Sequence, residues 1–326
     1  MNRQSVFVTP MLTPKLNRRS LLGLMVAAPL LPGRAFAAPP AIVATTGMIA
    51  DAARRLTGLE VTALMGPGMD PHGYRPTRGD ILALSRADLI LWHGLNLEAQ
   101  FTDVMEELAQ KKPVHAVAEV LPADLLRSDP IYPDRPDPHV WMDPALWGQV
   151  VVRIEAVLAE SGLPPDPATA AAYRAAIAAL DAYSRKILAT IPPEQRILVT
   201  AHDAFNYFGR AYEFAVEGIQ GISTESEAGL ARVGELVNML VARKVGAVFV
   251  ESSVSDRSIR ALIEGAAAQG HTVVVGGELF SDAMGPDGSY EGTYLGMIDH
   301  NVTTIARALG GQAPDRGMSG QLKADV

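Results

Sequence analysis

The chain has 326 residues, 48% of them hydrophobic and 20% charged, which suits a folded protein with room for two domains of ordinary size and rules out bulk disorder. Acidic residues outnumber basic ones, 36 to 28, and past residue 37 only 23 basic residues face all 36 acidic ones, a formal charge of −13; nucleic acid and anionic lipid are poor partners for such a surface. There is no cysteine, which leaves no place for a disulfide or for a lipid carried on an N-terminal cysteine.

Residues 1–37 read as a signal peptide. Arg3, Lys15, Arg18 and Arg19 precede an apolar stretch at 21–31, and Ala35, Phe36 and Ala37 give a small-x-small cleavage pattern before Ala38. The apolar stretch is far shorter than the ~20 residues a spanning helix needs. Arg18 and Arg19, followed by Ser20, Leu21 and Leu22, fit a twin-arginine signal.

Past this leader, short β-branched runs alternate with amphipathic helical stretches, the pattern of α/β layers with mainly parallel strands. Strands are expected at 41–46, 60–65, 88–93 and 113–117, and again at 196–201, 214–219, 246–252 and 271–277, four in each half. A long helix lies between the halves. Asp166 suits its N-cap, Pro167 its first position, and Pro192-Pro193 its end. Tyr173, Ile177, Leu180, Ile187 and Ile191 fall on one stripe of it. The chain thus divides into a signal peptide (1–37), an N-terminal α/β lobe (38–165), a linking helix (166–192), a C-terminal α/β lobe (193–311) and a flexible polar tail (312–326).

In open α/β sheets, ligands bind beyond the carboxyl ends of the strands. His72, in DPHGY, follows the strand at 60–65; His202 directly follows 196–201; Asp282, in GGELFSDAMG, follows 271–277; His139 sits in the Pro-bounded loop PDRPDPHVWMDP. Three imidazoles and a carboxylate are the donors a tetrahedral zinc shell takes, and they suit other first-row divalent metals. The proline of each Asp-Pro-His fixes φ and removes a donor, which limits where the next side chain can point. Intervals of 67, 63 and 80 residues do not by themselves separate a ligand set from ordinary core or surface histidines. His93, His115, His271 and His300 read as structural or solvent-facing. Glu251, ending GAVFVE, is either an acceptor for the second ring N–H of a ligating histidine or a helix N-terminal acid beside Ser252, Ser253 and Ser255.

On MDPHGYRPTRGDILALSRADLILWHGLNLE, DPHVWMDP, LVTAHDAFNYFGRAYEF and GGELFSDAMGPDGSYEGTYLGMIDHNVTTI, the chain resembles the zinc/manganese substrate-binding proteins of ABC importers, the TroA/ZnuA-like family. The resemblance implies two α/β lobes, each with a four-stranded mainly parallel sheet, joined by one long rigid backbone helix, with the metal at their interface. It implies His72, His139, His202 and Asp282 as ligands of one transported Zn2+ or Mn2+. The family's third ligand is His or Glu, and histidine here resembles the zinc-binding and dual zinc/manganese members. The His-rich acidic loop of many zinc members is lacking, and the C-terminal half resembles the manganese branch, whereas three nitrogen ligands suit zinc. Expected partners are an ABC permease and its ATPase, with no nucleic acid, membrane contact through the permease alone, and a monomeric state. With no cysteine, the expectation is a free periplasmic form, not a lipoprotein. The alternative is a periplasmic zinc metallohydrolase with Glu251 or Asp203 as general base, although a catalytic zinc keeps an open position. A metal-stabilised adhesion module is a third reading.

Overall fold

Strand β1 (Ile42–Ala44) starts the folded unit, Pro39–Val326, of a computed structural model that describes residues 39–129, 132–226 and 228–323. The signal peptide expected at 1–37, with its twin-arginine pair, lies outside the described residues, as does the end of the expected tail.

β1, β2 (Val61–Ala63), β3 (Leu89–Trp92) and β4 (Val114–Ala116) form one parallel sheet in the order β2-β1-β3-β4, as expected for the first half. The crossovers carry α1 (Gly47–Thr57), α2 (Arg78–Arg86) and α3 (Thr102–Ala109). The central strands are covered on both faces, which their unbroken apolar runs IVA and LILW anticipate. α2 opens with a capping box: Thr77 Oγ1 accepts the Asp80 N–H, and Asp80 accepts the Thr77 N–H. Asp80 also accepts the Tyr74 hydroxyl at 2.9 Å, so the loop carrying DPHGY is fastened at its downstream end.

α4 (Pro144–Glu160) and α5 (Pro167–Leu188) come next. α5 is the long helix the sequence announces: Asp166 accepts the Thr169 N–H at 2.8 Å, and Tyr173, Ile177, Leu180 and Ile187 form its buried stripe. It packs on α1, α4 and α9 (Tyr294–Ala308).

The second half holds α6 (Asn206–Tyr212), α7 (Leu230–Arg243) and α8 (Arg257–Ala268) with four parallel strands, β5 (Ile197–Thr200), β6 (Ala215–Gly218), β7 (Ala247–Glu251) and β8 (Val274–Leu279). Here the structure departs from the expected four-stranded sheet. The strands form two hydrogen-bonded pairs, β5–β6 and β7–β8, with β5 packed beside β7. β8 also lies further along the chain than 271–277, and its pairing slips between Val248 and Phe249. The cause is Gly276-Gly277. Gly277 has φ 150°, and a Cβ there would stand 2.4 Å from Thr304 Cγ2, so the glycines bend the strand where they seemed to end it.

The main apolar core runs without a break from β1 and α1 through α4 and α5 to α6 and α9. The segment after Gly311, expected to be a flexible tail, lies against α9: the Met318 N–H reaches both Asp299 oxygens at 2.8 and 2.9 Å, and Leu322 is fully buried. Among the described residues no helix is long and apolar enough to cross a membrane.

Candidate metal centre

Four loops bring His72, His139, His202 and Asp282 together. All four side chains are buried, and one ligand atom from each lies within 4.8 Å of the others. His72 Nε2 is 3.2 Å from His139 Nε2. His139 Nε2 and His202 Nε2 each stand 3.2 Å from an Asp282 oxygen, and His72 Nε2 stands 4.0 Å from one. Metal bonds of ~2.0–2.1 Å in a tetrahedron place neighbouring ligand atoms ~3.3–3.4 Å apart, so the cluster has the size of such a shell. His202 Nε2 and both Asp282 oxygens are nonetheless buried without an aligned hydrogen bond, as expected of donors that face a shared centre.

The far side of two rings is held by carboxylates. Asp137 Oδ1 accepts both the ring Nδ1–H of His139, at 2.7 Å, and its backbone N–H, at 3.0 Å. Glu251 serves His202 with both oxygens, Oε2 accepting the ring Nδ1–H at 2.6 Å and Oε1 the backbone N–H at 2.8 Å. A carboxylate only accepts, so the neutral ring that a metal requires keeps its proton on Nδ1 and turns the Nε2 lone pair to the centre. Asp137 escaped the sequence reading, although its signal was the first residue of the second Asp-Pro-His itself. The two triplets are used differently. Asp70 accepts only the backbone N–H of His72, at 2.9 Å, and turns its other oxygen to Thr224.

The loops have long-range anchors that join one motif to another and that no local spacing signals. Trp141 Nε1–H donates to Ser281 O at 2.8 Å, and the Tyr294 hydroxyl donates to Trp141 O at 2.9 Å. The Asn301 amide pairs with both backbone groups of Phe280, at 2.9 and 2.7 Å. These contacts fix His139 and Asp282 as one unit. Asp143 then caps α4 by accepting the Ala145 N–H. The remaining histidines stay outside the cluster. His93 donates to Pro138 O at 2.8 Å and so steadies the residue before His139; His271 and His300 bond to Val245 O and Glu278 O, and His115 stands beside Arg153.

Burial pushes the His72 imidazolium down to about 3. Burial opposes charge on His139 as well, but Asp137 and Asp282 together raise it to about 9; Asp282 and Glu251 likewise overcome burial and hold His202 well above the usual range. Burial also opposes charge on Asp282, yet His202 and His139 hold it well below the usual carboxylate range. The carboxylates demand positive charge in their midst, which protons or a cation can supply. Replacing Asp137 with Asn, or Glu251 with Gln, should weaken metal binding about 10–100-fold. Competition titration against a chelator checks this, and unchanged affinity in both variants would remove the carboxylates from any tuning role.

The family described as ZnuA, zinc-uptake complex component A, periplasmic, matches residues 42–308. The chain is 47% identical over 274 residues to the manganese-binding lipoprotein MntA of Bacillus subtilis, covering 82% of this chain and 89% of that one. It is 44% identical to the zinc-binding protein TroA of Treponema pallidum over 276 residues, 83% and 89% of the two chains, and 32% identical to the iron-binding protein YfeA of Yersinia pestis, 82% and 86%. The solved structure of the periplasmic zinc-binding protein TroA from Treponema pallidum matches with a TM-score of 0.79 at 43% identity, over 83% of this chain and 99% of that one. These names correct one expectation. A free periplasmic form that is not a lipoprotein conflicts with relatives named as lipoproteins, MntA of Bacillus subtilis and also ScbA of Streptococcus cristatus and SsaB of Streptococcus sanguinis. Cysteine content describes the chemistry of these 326 residues and is no measure of how such a protein is held at the cell surface.

Proposed function

We propose, because the chain belongs to the zinc-uptake complex component A family, that it is the substrate-binding protein of an ABC-type metal importer, capturing one Zn2+ or Mn2+ and delivering it to the permease and its ATPase. His72, His139, His202 and Asp282 are the proposed ligands. The observation that carries this is their convergence: four buried side chains from four loops, three of them following strands, with ligand atoms within 4.8 Å of one another. The relatives are named for manganese, zinc and iron, so their names alone do not choose the ion; three nitrogens and one oxygen favour zinc over manganese.

Residues 38–165 and 193–311 are proposed as two lobes on either side of α5, the first supplying His72 and His139 and the second His202 and Asp282. An ion held by both favours the arrangement in which the four side chains approach, by its differential affinity for that state. The working form is proposed as a monomer carrying one ion. The hydrolase reading is set aside. Its relatives are named as binding proteins, and Glu251, one of its two candidate bases, is engaged by the ring and backbone of His202.

Chelator-stripped protein titrated calorimetrically with Zn2+, and separately with Mn2+, should take up one ion per chain at a single tight site. No tight binding of either ion would defeat the receptor reading.

A further inference from the structure

The four proposed ligands are unequally secured. His139 and His202 each have a carboxylate on the ring, and Asp282 sits between backbone anchors made by Trp141 and Asn301. Among the described residues the His72 ring has no such carboxylate. Its Nε2 is also the more distant from Asp282, 4.0 Å against 3.2 Å for the other two. His72 alone of the four lines a cavity of about 290 Å³ whose walls include Asn96, Asp129, Tyr132, Ile222 and Ser223.

What ties the His72 turn to the rest of the site arrives from the other half of the chain. After β6, Gln220 N–H donates to Ala201 O at 3.0 Å and Asp203 N–H donates to Gly221 O at 3.3 Å, which laces this stretch to the residues flanking His202. Three residues on, the Thr224 hydroxyl donates to Asp70 Oδ2 at 2.5 Å, while Asp70 Oδ1 accepts the His72 N–H at 2.9 Å. A second, exposed tether joins Gln100 to the neighbouring Glu225 at 3.0 Å. The line of contact therefore runs from the His202 loop through Thr224 and Asp70 to His72.

Resting on the receptor reading above, we infer that Thr224 is a positioning residue for metal exchange: its hydroxyl, through Asp70, holds the His72 turn closed on the ion and sets how fast the ion leaves. The other three ligands form the seat, and His72 is the ligand that parts first. A hydrogen bond to a charged group is the strong kind, and it must break each time the turn opens.

The test compares wild type, Thr224→Val and Thr224→Ser, as full chains loaded with Zn2+ and mixed with an excess of a chromogenic chelator in stopped flow. Valine keeps the size and removes the donor; serine keeps the donor. Release should be about tenfold faster in Thr224→Val and within about twofold of wild type in Thr224→Ser, while the rate of Zn2+ uptake by the stripped protein, which a general distortion of the site would lower, stays the same in all three. Wild-type release from Thr224→Val, or equally fast release from both variants, would overturn the role of the hydroxyl while leaving the receptor reading intact. A wild-type chain that takes up neither Zn2+ nor Mn2+ would overturn both.

Discussion

Replacing His139 with alanine is expected to lower the affinity for Zn2+ by about two to three orders of magnitude. A tight four-ligand zinc site is worth on the order of 10–16 kcal/mol near neutral pH, or about 3 kcal/mol per ligand if shared evenly, and every 1.4 kcal/mol is about a factor of ten. His139 should lie at the upper end of that range. It is fully buried, and its loss also leaves Asp137 with the side chain of Asn206 as its remaining side-chain partner, an uncompensated buried carboxylate. Competition against a chelator of known affinity gives the number; a loss of less than about fivefold would place His139 outside the coordination shell.

The second large effect is thermal. With free Zn2+ at a thousand times its dissociation constant, binding adds about 4 kcal/mol to the folded state. A chain of this size gains about 2–4 °C in melting temperature per kcal/mol, so the loaded protein should melt about 10 °C higher. The shift should depend on pH with a definite sign. In the metal-free protein His139 holds its proton up to about 9, above the ordinary histidine value, so that proton stabilises the metal-free fold fully below the ordinary value and the contribution is lost as pH rises through about 9. The metal needs neutral imidazoles and must displace the proton. The gap between loaded and metal-free melting temperatures should therefore widen from pH 5 to pH 8 at fixed total metal. Melting scans across that range check it, and a gap that stays constant would mean that histidine protons do not compete with the ion.

Much of the frame could be read from local pattern. α5 carried its own punctuation in Asp166, Pro167 and the Pro192-Pro193 pair, and strands with apolar runs such as LILW and ILVT stand close to where periodicity put them. Three of the four converging side chains, His72, His202 and Asp282, were legible because each comes soon after a strand, and parallel sheets send such loops to one edge. The contacts that escaped the reading have a common cause. The Trp141 bond to Ser281 spans 140 positions and the Thr224 bond to Asp70 spans 154; no local spacing encodes such a pair. The segment after Gly311 looked free because it is polar, but it is held by backbone N–H groups donating to Asp299, and every residue except proline carries that donor. The break between β5 and β7 was hidden as well, because apolar runs identify strands without saying how far each ladder extends.

The uninterrupted core through α5 has a consequence for how such a chain can vary. Tyr173, Ile177 and Leu180 share one apolar cluster with Ile154 and Val157 of α4 and with Met297 and Ile298 of α9, so the surface that joins the halves is also interior to both. Recombination between relatives that swapped one half for another would have to carry matching partners on three helices at once. Substitutions in the loops at the strand ends, by contrast, leave that shared interior untouched.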